Sequence, residues 1–173
     1  MANAYLGLGS NLGDRKEQLI TATALLAERV GDVLDVSDFY ETTPWGFQSE
    51  NMFLNRIVRV DTLLSPYALL DATQQIEYDM GRTAKSNEQQ YTDRTMDIDI
   101  LLYDELILQS PTLVVPHPLM QKRIFVLQPL SEIAPGLIHP ILNKTVTELY
   151  QELILHYSYS FSKTECNLLK SSR

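Results

Sequence analysis

Two periodicities divide this chain. Single alternation of apolar and polar positions, or a short apolar run closed by glycine, marks strands, while apolar positions recurring every three or four residues mark helices. Residues 3–9 read as a first strand, closed by a turn rich in Gly, Ser and Asn. Asp14 is placed to cap a helix of about four or five turns, with Leu19, Ile20, Ala24, Leu26, Ala27 and Val30 as its apolar side and Gly31-Asp32 as its stop. Val33 to Glu41 reads as a second strand; Pro44 and Gly46 prevent its continuation, so residues 42–47 form a loop presenting Trp45 and Phe47. A long strand over 52–63 follows, with Phe53, Asn55, Ile57, Arg59 and Asp61 on one face. Ser65 and Pro66 suit the N-cap and first position of a second helix that runs to Met80 and ends at Gly81.

Residues 83–93 show no apolar period and read as a mobile polar loop. The next strand starts at Asp97, with a turn at Asp104-Glu105 and a short return strand near Leu106–Leu108. Pro116-His117-Pro118 forces an extended segment, a third helix starts near Ile124, and residues 147–155 form a last helix. The order β-α-β-β-α-β predicts an α+β fold with a ferredoxin-like core: a mostly antiparallel sheet with helices packed on one face, plus a C-terminal extension. A single domain over residues 1–155 is expected, followed by a tail over 156–173 that lacks a period and reads as partly disordered.

Composition narrows the function. With 14 basic against 22 acidic residues among 173, the net charge is −8, which argues against a general binder of nucleic acid or anionic membrane. A polyphosphate ligand needs only a few local cations and stays open. The single cysteine, Cys166, has no disulfide partner, and no apolar run approaches the roughly 18 residues of a membrane span. A soluble, cytoplasmic protein is expected. Gly7 to Gly13 misses the dinucleotide-binding spacing by one residue, and no glycine-rich loop ends in Lys-Ser/Thr, so a nucleotide would have to be held some other way.

The chemistry concentrates at Arg94-Thr95-Met96-Asp97-Ile98-Asp99-Ile100. On a strand Asp97, Asp99, Leu101 and Tyr103 share one face, with the two acids about 6–7 Å apart at Cα. Two anions this close repel unless a cation lies between them, and oxygen-only ligation suits Mg²⁺, which completes its octahedron with water and phosphate. A lone Asp-x-Asp is more often an exposed sheet edge than a metal site. Arg94, three residues before the pair, and Arg82, across the polar loop, make the arrangement more specific, since cations around a metal-phosphate site stabilise transferring phosphoryl oxygens. His117 is held nearly rigid between two prolines, either as a turn residue or as a ligand contact. Trp45 and Phe47 sit in a glycine-flanked loop suited to stacking on a flat ligand, and the Asn55 amide can read the edge of a heterocycle.

Taken together, these residues resemble the 6-hydroxymethyl-7,8-dihydropterin pyrophosphokinase family of folate biosynthesis. The resemblance is carried by residues 4–14, 39–46, Phe53-Leu54-Asn55, Gln74 with Ile76-Glu77, Gly81-Arg82, Arg94 to Ile100, and Val115-Pro116-His117-Pro118 with Arg123 and Phe125. It implies transfer of the β,γ-pyrophosphoryl group of ATP to the hydroxymethyl oxygen of the pterin, releasing AMP. It further implies two Mg²⁺ ions held by Asp97 and Asp99, with Arg82 and Arg94 clamping the triphosphate. Gln74, Glu77, Ile100, His117 and Arg123 would complete the ATP site. Thr43, Pro44, Trp45, Gly46, Phe53, Asn55 and Phe125, with Asp97, would hold the pterin. The implied partners are these two small molecules, with other folate-pathway enzymes as candidate associates of a monomer. Tyr91, Thr112, Leu119 and Ile124 depart from the family pattern, which implies a weaker hold on ATP. Another Mg²⁺-dependent phosphotransferase on a ferredoxin-like sheet, and a non-catalytic ligand-binding module, are the alternatives at this point.

Overall fold

The computed structural model describes residues 1–46, 49–81 and 93–157. Its strands are β1 (Ala2–Ser10), β2 (Gly31–Val36), β3 (Tyr40–Thr42), β4 (Phe53–Thr62), β5 (Asp97–Tyr103), β6 (Leu108–Gln109) and β7 (Val114–Val115). The helices are α1 (Arg15–Arg29), α2 (Pro66–Asp79) and α3 (Ile124–Ile133), with a 3₁₀ turn at Met120–Lys122 and a further helix, α4, over residues 146–157. The main sheet runs β2-β4-β1-β5 with β3 also on β4, every pairing antiparallel. This is the expected ferredoxin-like order, in which each helix-connected strand is separated from its predecessor by one inserted between them.

Capping follows the residues named from sequence. Asp14 Oδ1 accepts from Glu17 N at 3.0 Å, and Ser65 Oγ from Ala68 N at 3.3 Å with Pro66 opening α2. The buried stripe of α1 is Leu19, Ala22 and Leu26, while Ile20, Ala24 and Ala27 turn to solvent. Gly31 does not end the helix in a loop; it begins β2, where a Cβ would stand 2.1 Å from the Asp61 carbonyl oxygen. The expected strand over 33–41 is two strands. It breaks at Ser37, whose hydroxyl accepts from Ile57 N at 3.0 Å in place of a ladder carbonyl. The return strand after β5 pairs with β7 rather than with β5. α4 starts earlier than expected because Thr145 and Glu148 form a capping box: Thr145 N donates to Glu148 Oε2 at 2.7 Å and Glu148 N to Thr145 Oγ1 at 3.2 Å.

Both faces of the sheet are covered. α1 and α2 pack on Ala4, Leu6 and Leu8 of β1, Val58 and Val60 of β4, and Ile98 and Ile100 of β5. Against the other face, α3, the 3₁₀ turn and α4 bury Tyr5, Ile57, Leu101 and Leu102 beneath Met120, Val126, Leu130 and Val146. The second layer is thus the contribution of the C-terminal extension to the βαββαβ unit. Leu101 and Leu102 lie on the same side because β5 bulges there: Ile100 pairs with Leu6 but Leu102 with Tyr5. The bulge also reverses Tyr103, expected on the face of the aspartates; its hydroxyl instead donates to Leu64 O at 2.8 Å on the α1/α2 side.

Candidate active site

The α3 face of the sheet carries the polar cluster. Asp97 and Asp99 open β5, half-buried, on the side away from Ile98 and Ile100. Arg94 Nη1 donates to Asp97 Oδ2 at 2.8 Å, and Arg123 Nη1 to Asp99 Oδ2 at 3.2 Å. Arg123 is 5% exposed, held in the turn between the 3₁₀ segment and α3. A cation that well shielded from water needs its carboxylate, and pairing with a charged group costs less there than leaving it alone. Each arginine also lies near an aromatic ring: Arg94 is 5.7 Å from the Phe53 centroid, and Arg123 is 4.9 Å from Trp45 and 5.6 Å from Phe125.

His117 joins this cluster through the bulge. Its N–H donates to Leu101 O at 2.9 Å, and the preceding Val115–Pro116 peptide bond is cis. Nδ1 accepts from Leu119 N at 3.2 Å, so the neutral ring carries its proton on Nε2, which faces Asp99 Oδ2 at 3.9 Å. Burial first, then the positive charge of Arg123, pushes the imidazole down to about 4 against the opposing pull of Asp97. At neutral pH His117 is therefore a hydrogen-bond donor and not a cation.

Two strands away lies a second polar pocket. Asn55, 5% exposed on β4, donates from Nδ2 to Thr42 Oγ1 at 2.8 Å and to Tyr40 O at 3.3 Å. The residue facing the amide is Thr42, the last of β3; Thr43 lies beyond the strand and is exposed. Gly9 separates this pocket from the acids, being paired with Asn55 on one side and Asp97 on the other. A Cβ there would stand 3.1 Å from Asn55 Oδ1 and 3.7 Å from a Phe53 ring carbon, so the glycine leaves the floor between them open. Two strand spacings, about 10 Å, separate the amide from the first carboxylate; Phe53 stands beside Gly9, while Trp45 and Phe125 lie against Arg123.

Other expected residues sit at the rim. Glu77 is buried on α2, and its Oε1 accepts from Ile98 N at 2.7 Å; it thereby covers the outer edge of β5 between the two aspartates. Gln74, one turn earlier, is half-buried. Ile100 contributes its side chain to the opposite core and is not brought to the carboxylates. Pro44 is half-buried, and Gly46 takes φ 83°, a left-handed turn open to glycine. Arg82, Phe47, Tyr91 and the 158–173 tail lie outside the described residues. Sequence reading passed over Thr42, which the β3–β4 pairing of Thr42 with Phe53 would have aimed, and Asn11, whose contacts with Arg94 span 83 positions and leave no local signal.

Comparison with known proteins bears on what this arrangement does. The model of the 7,8-dihydro-6-hydroxymethylpterin-pyrophosphokinase (HPPK) family matches residues 5–135. The chain belongs to this family. A 2-amino-4-hydroxy-6-hydroxymethyldihydropteridine pyrophosphokinase of Porphyromonas gingivalis is 52% identical over 141 residues, 81% of this chain and 95% of the relative. One from Bacillus subtilis is 47% identical over 131 residues, 75% of this chain and 77% of the relative. Among solved structures, wild-type HPPK-DHPS of Plasmodium falciparum with pteroate superposes with a TM-score of 0.74 at 18% identity. That match covers 93% of this chain and 44% of the other, and it supports the HPPK fold. The stretch Arg94 to Ile100 falls within the matched span, as do both polar clusters. Among the described residues no helix is long and apolar enough to cross a membrane.

Proposed function

We propose that this HPPK-family chain transfers the β,γ-pyrophosphoryl group of ATP to the hydroxymethyl oxygen of 6-hydroxymethyl-7,8-dihydropterin, yielding the pterin diphosphate and AMP in folate biosynthesis. The observation that carries the reading is the convergence, on one sheet face, of an arginine-bound carboxylate pair and a buried Asn55–Thr42 amide site beside Phe53, with Gly9 between them. A phosphotransferase acting on some other acceptor would need the first half and not the second. A binding module would need neither the acid pair nor its arginines.

Asn55 and Thr42 read the edge of the pterin, and Phe53, Phe125 and Trp45 cover its faces, so the hydroxymethyl arm extends across Gly9 towards β5. The donor set fits Mg²⁺: Asp97 and Asp99 supply hard oxygens from one face. Two Mg²⁺ ions held by these carboxylates would neutralise phosphate charge and align the β-phosphorus for in-line attack. The chain's own residues do the rest. Arg94 and Arg123 now neutralise the aspartates; with the triphosphate present they supply positive charge to its oxygens, together with Arg82. His117 donates from Nε2 as a neutral group, which leaves it available over the physiological pH range. Glu77 fixes the strand between the aspartates; Gln74 from the same helix and the main chain at Ile100 are proposed as further nucleotide contacts. No covalent intermediate is needed; the site works by positioning and by preset electrostatics.

Residues 1–155 act as one catalytic domain, monomeric and cytoplasmic, with other folate-pathway enzymes as candidate associates. The test is to incubate the protein with Mg²⁺, ATP and hydroxymethyldihydropterin and separate the nucleotides. AMP is expected, formed only with pterin present; ADP in its place would mean single phosphoryl transfer and overturn the assignment.

A further inference from the structure

One carboxylate joins the two halves of the site and is not used by the chemistry described above. Asp93 Oδ1 accepts from Asn11 Nδ2 at 2.6 Å and Oδ2 from Asn51 Nδ2 at 2.8 Å. The Ser49 hydroxyl donates to the same group, and together with the two amides and the charge of Arg94 it holds the carboxyl below its usual range. Asn11 is 3% exposed and clasps the next residue in both directions: Arg94 N donates to Asn11 Oδ1 at 2.8 Å, and Asn11 N to Arg94 O at 3.2 Å. Asn11 Nδ2 also reaches Asn51 O at 3.4 Å. The residue so clasped is the one whose guanidinium meets Asp97. Asn51 stands two residues before Phe53, whose ring lies beside that guanidinium.

A staple that served stability alone would have little reason to gather here. Asp93 is exposed, so its hydrogen bonds to neutral partners compete with water. What the staple does set is the placement of Arg94 relative to the segment entering Phe53, which belong to the nucleotide half and the pterin half respectively. We propose that Asp93 is a positioning residue that couples the two substrate subsites: through Asn11 it fixes the main chain that aims Arg94, and through Asn51 and Ser49 it holds the loop leading into Phe53. Engagement of phosphates by Arg94 thereby tightens the pterin pocket, and pterin tightens the nucleotide site by the same factor, as linkage requires. The inference rests on the pyrophosphokinase reading.

The experiment is a charge swap in the full chain. Pterin affinity is measured with and without Mg²⁺ and α,β-methylene-ATP, alongside steady-state AMP formation and the melting temperature. Asn51→Asp sets two carboxylates against each other and should cut the coupling about tenfold, the scale of one lost charge-assisted hydrogen bond, with KM rising more than kcat falls. In the double variant Asp93→Asn/Asn51→Asp, the introduced amide still accepts from Asn11 and donates to the introduced carboxylate. Coupling should return to within about threefold of wild type. Ser49→Ala, which removes one donor without adding charge, should weaken the coupling by a smaller factor. Asn51→Asp or Ser49→Ala with unchanged coupling, or a well-folded double variant no better than Asn51→Asp, overturns the latch while AMP formation by wild type stands. A wild type that makes no AMP overturns the pyrophosphokinase reading, and the latch with it.

Discussion

The two faces of the main sheet follow different rules. Beneath α1 and α2 the strands present Ala4, Leu6, Leu8, Val58, Val60, Ile98 and Ile100, all buried and all apolar. On the α3 face the same three strands present Gly9, Asn55, Asp97 and Asp99 at one end and Tyr5, Ile57 and Leu101 towards the other. The first face is a packing surface whose value is the area it removes from water. The second surrenders packing near the site: glycine where a side chain would crowd Asn55, a buried arginine, and carboxylates held by ion pairs. One strand, β5, serves both, because alternation lets Ile98 and Ile100 anchor the segment from which Asp97 and Asp99 project. Stability and activity should therefore separate by face.

The largest separation is expected at Asp97. Asp97→Ala should lower kcat by about a thousandfold or more, several kcal/mol of transition-state stabilisation, with a melting temperature near that of wild type. Turnover within a few-fold of wild type would count against the metal assignment. The mirror experiment is Leu26→Ala on α1, fully buried against the other face. Chemical denaturation should show a loss of about 3 kcal/mol, with kcat per folded molecule unchanged. Equal damage to both quantities would mean the faces are not independent.

His117 adds a pH dependence to the active face. Its folded pKa lies near 4, below the ordinary 6.5, so the unfolded chain binds the extra proton between these values. The stability contributed by the neutral ring is whole above pH 6.5 and is lost as pH falls towards 4, by about 3 kcal/mol in metal-free buffer. His117→Gln should flatten that part of the stability profile; a slope identical to wild type would contradict the burial argument. The smallest expected effect separates neighbours. Thr42→Val should raise the pterin KM about tenfold by stranding the Asn55 amide, while Thr43→Val should leave it nearly unchanged.

Part of the packing face was readable from periodicity, as at Leu19, Leu26 and Ile98, while Ile20, Ala24 and Ala27, expected on the apolar side of α1, turn to solvent. The aspartates of the other face were readable for the same reason, since single alternation separates Asp97 and Asp99 from Ile98 and Ile100. Legibility stopped where backbone irregularity or distance intervened. Nothing in Ile100-Leu101-Leu102 marks a bulge, yet the bulge turns Tyr103 to the far side and offers the carbonyl that ties His117 to β5. The break at Ser37 depends on a hydroxyl substituting for a carbonyl, which an apolar pattern does not encode. Thr42 and Thr43 differ by one residue, and only the β3–β4 register chooses between them. The capping box at Thr145 and Glu148 was present in the residues as Thr-x-x-Glu, a local signal sufficient to start α4 where it starts. Asn11 and Asp93 meet across 82 positions, and no local pattern announces such a pair.

In the proposed reaction one face brings the pterin oxygen to the β-phosphorus of ATP, and both terminal phosphates move together. ATP labelled in its β-phosphate tests it directly. The label should leave the nucleotide completely and appear in the pterin diphosphate, with unlabelled AMP as the other product. Label retained in a nucleotide, with the pterin carrying a single phosphate, would mean single phosphoryl transfer and overturn the proposed reaction.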